Sequence, residues 1–111
     1  AGHPVPLAVV DRVRGVLTAW PDVEVRTSKS QVSYRRRRGF AYVWRPGQYL
    51  GRAAAPAVLS IALGRADPSP RFKEVVHPTP RHWLHHLEIT TADDVNGEVA
   101  GWLAEAADRA G

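Results

Sequence analysis

Residues 31–45 read Gln-Val-Ser-Tyr-Arg-Arg-Arg-Arg-Gly-Phe-Ala-Tyr-Val-Trp-Arg. Both flanks of this stretch, Gln31 to Arg36 and Phe40 to Arg45, carry the aromatic and β-branched residues of strands. Arg37, Arg38 and Gly39 separate them, which predicts a hairpin with an arginine-rich tip, Gly39 supplying the backbone angles of a tight turn. Pro46-Gly47 closes the second strand as a turn dipeptide, and Gln48 to Ala55 reads as a connecting loop. Pro56 to Leu63 is uniformly apolar and predicts a central, buried strand. Beyond it, Asp67 to Pro70 reads as a loop and Arg71 to Val76 as a strand. His77-Pro78-Thr79-Pro80 reads as a rigid connector, and His82 to Thr90 as the last strand. Toward the N-terminus, Val23 to Arg26 predicts one more short strand.

Helices bracket these strands. From Leu7, apolar residues recur at three- and four-residue steps through Val10, Val13, Val16 or Leu17, and Trp20, the pattern of an amphipathic helix that Pro21 ends. Thr91-Ala92-Asp93-Asp94 has the spacing of a capping box, and Val95, Val99, Trp102 or Leu103, and Ala106 continue a helical stripe. Gly97 and Gly101 each cost that helix about 1 kcal/mol relative to alanine, so packing must stabilise it. Ala1 to Pro6, with two prolines and a glycine, predicts a flexible lead-in, and residues 7–110 a single domain. The expected architecture is α+β: a two-layer sandwich with an antiparallel sheet of about five to six strands and both terminal helices on one face.

A chain of 111 residues suffices for one domain with its own core, and 44% hydrophobic and 23% charged residues is a globular composition. The absence of cysteine excludes disulfides, thiol catalysis, cysteine-bound zinc and iron–sulfur clusters, and fits a reducing compartment. The longest apolar run is too short to span a bilayer and no signal segment opens the chain, so a cytoplasmic location is expected, with no membrane partner. The net charge is +4, with a pI near 10.1, and conceals an uneven distribution. Residues 26–81 carry a formal +10, twelve basic residues against Asp67 and Glu74, whereas residues 92–111 carry −4. Such asymmetry bears on association and not on fold. Thirteen arginines against two lysines, with abundant Ala, Gly, Pro and Val, is also what a GC-rich genome produces.

No residue pattern compels catalysis. None of the serines lies in a glycine-flanked elbow, no glycine-rich phosphate loop is present, and the carboxylates in the middle of the chain are few. His82, His85, His86 and Glu88 look like a metal-ligand cluster, but on a strand His82, His86 and Glu88 share one face while His85 takes the other. His82 and His86 would then stand roughly 13 Å apart, too far for one metal. No metal and no cofactor is expected.

Two regions remain. Arg35, Arg36, Arg37 and Arg38, with Arg45 and the aromatic rings of Tyr34 and Trp44, predict a site for an anion or a nucleic-acid strand: guanidiniums for phosphates, rings for bases. Phe40 and Tyr42 lie on the same hairpin. The bland counterpart is a solvated hairpin end that keeps a sheet edge from pairing. Second, if Leu59, Ile61 and Leu63 face the helices, Val58, Ser60 and Ala62 place small side chains at the centre of the opposite face. That leaves room for a concave, basic pocket to which Lys29, Gln31, Arg71, Lys73 and His86 contribute. The same face could serve as a homodimer surface.

The segments Thr27-Ser28-Lys29-Ser30-Gln31-Val32-Ser33-Tyr34, Gly39 to Trp44, Arg71-Phe72-Lys73, His85-His86-Leu87 and Asp94-Val95 with Trp102-Leu103 and Ala106 together resemble an uncharacterised bacterial family, domain of unknown function 5655. In style this is similar to the YdhG-like α/β domains, and the resemblance runs from about Pro4 to Ala110. It implies a small helix–strands–helix domain, found alone or attached to nuclease-like or predicted transport proteins. The family has no established activity, so no catalytic residue is carried across. The resemblance matches Lys29 to the family's lysine in a Thr-x-Lys-x-x-x-Tyr-like stretch, and His86 to its late histidine. The four-arginine hairpin is no part of the family pattern.

The functional expectation is a non-enzymatic binding module for an anionic partner, nucleic acid favoured, on the basic hairpin and adjoining sheet face. Its alternatives are a small-molecule or enzymatic pocket on the open face, and a homodimeric interaction domain. Arginines that converge would make a site, and arginines that splay a solubilising edge.

Overall fold

A computed structural model describes residues 6–28, 31–44 and 57–111. Helix α1 (Leu7–Val16) runs into a single 3₁₀ turn (Leu17–Ala19) and buries Val9, Val13 and Leu17, one residue per turn on a single stripe. Six strands follow: β1 (Glu24–Thr27), β2 (Gln31–Arg35), β3 (Gly39–Trp44), β4 (Ala57–Leu63), β5 (Phe72–Thr79) and β6 (His82–Ile89). Helix α2 (Gly97–Ala110) closes the chain. The strands form one antiparallel sheet in the order β1-β2-β3-β4-β6-β5, the α+β architecture read from the sequence.

Alternation along each strand assigns its two faces. Val32 and Tyr34, Ala41 and Val43, Leu59, Ile61 and Leu63, Leu87 and Ile89 are buried beneath the helices, where Val99, Trp102, Leu103, Ala106 and Ala107 of α2 meet them in one core. Phe40 breaks the alternation yet is 1% exposed. The register between β2 and β3 shifts at Tyr34 and Arg35, and this bulge turns both Phe40 and Ala41 coreward.

Three local expectations need correction. Asp94 accepts the backbone N–H groups of Thr90 (2.7 Å) and Thr91 (3.1 Å). The capping box expected at Thr91–Asp94 is thus present, but it opens a 3₁₀ turn, Ala92–Asp94; α2 itself begins three residues after Asp94, with Asn96 capping the Val99 N–H. His77 to Thr79 belong to β5, because pairing with β6 persists through the register shift to Thr79↔His82 and leaves only Pro80 and Arg81 for the turn. Gly39 does not adopt left-handed angles. It opens β3, and a side chain there would strike the Tyr42 hydroxyl, so glycine serves by leaving space for the Tyr42 ring. The expected loop Gln48 to Ala55 lies outside the described residues.

Candidate functional site

The open face of the sheet is crossed by one continuous row of paired residues, Arg26, Ser33, Tyr42, Ser60, His86 and Glu74. At its centre the Ser60 hydroxyl accepts the indole N–H of Trp44 at 2.8 Å and lies 2.6 Å from Nδ1 of His86. The Trp44 and His86 rings meet edge to face, 6.0 Å between centroids. These two side chains take up the space that small residues leave over β4, so that Ser60 is 1% and Val58 6% exposed although no helix of the described residues covers this face. The pocket expected there is therefore filled in this arrangement. Burial, the larger influence, holds the His86 imidazole below its ordinary range against the opposing pull of the Glu74 carboxylate.

Nor is the open face basic among the described residues. Arg26 and Arg35 stand opposite or beside Glu24, Lys73 reaches within 3.8 Å of Glu88, and Glu74 pairs with His86. Gln31 lies exposed at the end of β2, paired with Trp44. Arg71 is committed elsewhere: it donates to the Asp94 carbonyl (2.8 Å), Asn96 Oδ1 and Glu98 Oε1 (both 3.1 Å), binding β5 to the start of α2. Lys29 and Arg45 lie outside the described residues.

The hairpin arginines splay. Arg35 continues the open face. Arg36 turns to the helix side, where Nε donates to both Asp22 carboxylate oxygens at 3.0 Å and Nη1 to the Ala107 carbonyl at 2.8 Å. It thus satisfies a carbonyl of the last turn of α2, where a cation is favoured by the helix dipole. Tyr34, expected as a stacking surface, is fully buried, its hydroxyl donating to the Val10 carbonyl at 3.2 Å, and burial raises its pKa. The alternation that sends Tyr34 into the core is the one that defines β2, so its ring cannot meet a base without unfolding the strand. Arg37 and Arg38 remain exposed at the tip.

Those two do not stand alone. The tip, the C-terminal end of β4 and the β5–β6 turn share one end of the sheet, and α2 terminates against them. The Arg37 N–H donates to the Ala110 carbonyl at 2.9 Å, and Arg109 Nη2 to the Arg81 carbonyl at 2.9 Å. Arg109 crosses over Gly64, where any β-carbon would collide with its guanidinium. His82, at the start of β6, lies among them: burial first, then Arg109, Arg38 and Arg81, push its pKa below the ordinary value. Arg37, Arg38, Arg81 and Arg109 form no ion pair among the described residues. Sequence reading missed Arg81, His82 and Arg109 because they come from segments 43 and 71 residues beyond Arg38 and only the strand order brings them to it.

Among the described residues no group of three or more His, Asp or Glu could hold a metal ion, and no helix is long and apolar enough to cross a membrane. His85 and His86 point to opposite faces. His85 is buried against Phe72, with Nε2 accepting the Asp67 N–H at 3.0 Å and Nδ1 donating to the Trp83 carbonyl at 3.0 Å. Those contacts give His85 a structural role.

The fold and this end of it define a two-layer α+β domain with both helices on one sheet face and, among the described residues, cations without ion pairs at one sheet end. The family described as Domain of unknown function (DUF5655) matches residues 3–109, and the chain belongs to that family. No curated protein and no solved structure matches it.

Proposed function

We propose that this protein is a non-enzymatic binding module for a phosphate-bearing polyanion, nucleic acid, held at the cationic end of the sheet by Arg37, Arg38, Arg81 and Arg109. The observation that carries this reading is the gathering of Arg38, Arg81 and Arg109 around His82 with no carboxylate paired to them among the described residues. Like charges brought together raise the free energy of the unliganded protein, and an anion relieves it. The guanidiniums come from three chain segments along the sheet end, an arrangement suited to successive phosphates. The Tyr42 ring, lying over Gly39 beside the tip, supplies an aromatic surface close by. A pocket on the open face has less support, since Trp44 and His86 fill its centre and its charges are balanced.

The test is fluorescence anisotropy of a labelled mixed-sequence oligonucleotide pool titrated with protein at low salt. Saturable binding, weakened severalfold by Arg81→Glu and by Arg38→Glu, supports the reading. No binding to any pool, or binding indifferent to both variants, contradicts it.

A further inference from the structure

A groove of about 340 Å³ opens at the β1 edge of the helix layer, between the end of α1 and β1. Its origin is a shortfall of cover. Helix α1 ends at Val16 and the chain turns away through Trp20 and Pro21, leaving the core-facing residues of the first edge strand roofed only in part. Val23, Val25 and Trp20 consequently pack against the core while remaining half-exposed, over buried Leu17 and Tyr34, and make the apolar part of a lining that Arg14 and Thr18 complete with polar groups. Two aromatic walls are fixed by their polar ends: the Tyr34 hydroxyl donates to the Val10 carbonyl at 3.2 Å, and the Trp20 indole N–H donates to Asp108 at 3.0 Å. Their carbon faces are thus held in place, so the groove exists before anything enters it.

Among the described residues the lining contains a single charged side chain, Arg14, and no carboxylate. Arg14 lies in the last turn of α1, exposed, and makes no ion pair among the described residues. Pockets that take small molecules are mostly apolar, with a few polar groups that fix orientation, and begin near this volume. We infer that the groove binds a small amphipathic acid, its hydrocarbon or aromatic body against Trp20, Val23 and Val25 and its carboxylate on the Arg14 guanidinium. This site is separate from the cationic sheet end and stands whether or not the protein binds nucleic acid. A neutral molecule of the same shape would gain the apolar contacts and lack the charge-assisted bond.

Octanoate and 1-octanol separate the two contributions. In ¹H–¹⁵N correlation spectra of the intact protein, octanoate should shift the amides of Leu17, Val23 and Val25 and the Trp20 indole N–H saturably, and bind about tenfold tighter than 1-octanol. Arg14→Gln, a change at an exposed position, should bring octanoate down to the affinity of the alcohol and leave the alcohol unchanged. Val25→Trp, which fills the groove, should abolish both while the remaining spectrum reports an intact fold. Shifts that fail to saturate or fall elsewhere, equal affinity for acid and alcohol, or an Arg14→Gln protein that still prefers the acid would each overturn the assignment.

Discussion

The Ser60 hydroxyl lies 2.6 Å from Nδ1 of His86 and is shared with a third residue. Trp44 can only donate, and its indole N–H occupies the Ser60 oxygen at 2.8 Å. The hydroxyl keeps one proton and one further lone pair, so it serves His86 in either tautomer. Removing it leaves both the Trp44 N–H and His86 Nδ1 without this partner. Ser60→Ala should destabilise the fold by about 1–3 kcal/mol, measured by urea denaturation, because both partners lose hydrogen bonds in a site little open to water. A change within error would mean that water replaces the hydroxyl without cost.

The same imidazole makes stability depend on pH. Burial depresses the His86 pKa in the folded protein below its value in the unfolded chain, so across that interval the unfolded state binds more protons. The contribution is complete above about pH 6.5, the unfolded value, and is lost as pH falls through the lowered folded value. His82, depressed by burial and its arginine neighbours, acts with the same sign. Urea midpoints between pH 7.5 and 5 should therefore fall for the native protein and fall less for His86→Gln. An equal fall in both would remove His86 from the account.

Neighbouring arginines of the hairpin should behave differently. Arg36 holds Asp22 and the Ala107 carbonyl, so Arg36→Ala should cost about 1–2 kcal/mol of stability. Arg38, exposed and without an ion pair among the described residues, should be replaceable by alanine with a change within about 0.5 kcal/mol while nucleic-acid affinity drops. Thermal or urea unfolding of the two variants, set beside their oligonucleotide affinities, distinguishes a structural arginine from a binding one. The opposite ranking would reverse the assignment.

Gly101 lies exposed inside α2, and a β-carbon built there meets nothing within 4 Å. Gly101→Ala should therefore stabilise the protein by about 0.5–1 kcal/mol through helix propensity and reduced freedom of the unfolded chain. A loss of stability, read in the same unfolding assay, would show that the helix surface is covered in a way the structure does not show.

Much of the fold was legible because its signals are local. Val-Ser-Tyr and Ala-Tyr-Val-Trp alternate as strands must, and the run ending at Leu63, apolar but for Ser60, is buried at all but one of its described positions. What failed locally did so where a neighbour decided: the bulge that turns Phe40 inward, the Tyr42 ring that explains Gly39, and the pairing that draws His77 and Thr79 into β5. The candidate site was legible only in part. Charge counting found the basic middle of the chain, but could not tell that Arg36 and Arg71 are tied to α2. It also could not tell that the balance on the open face leaves Arg37 and Arg38 to find their companions in Arg81 and Arg109, across a sheet whose order the sequence does not state.

The salt dependence of nucleic-acid binding tests the central claim most directly. If Arg37, Arg38, Arg81 and Arg109 each neutralise a phosphate, the slope of log K against log salt concentration for a mixed-sequence oligonucleotide should be about −3 to −4, and Arg81→Gln should make it shallower by about 1. A slope near zero, or one that Arg81→Gln leaves unchanged, would contradict an anion site at this end of the sheet.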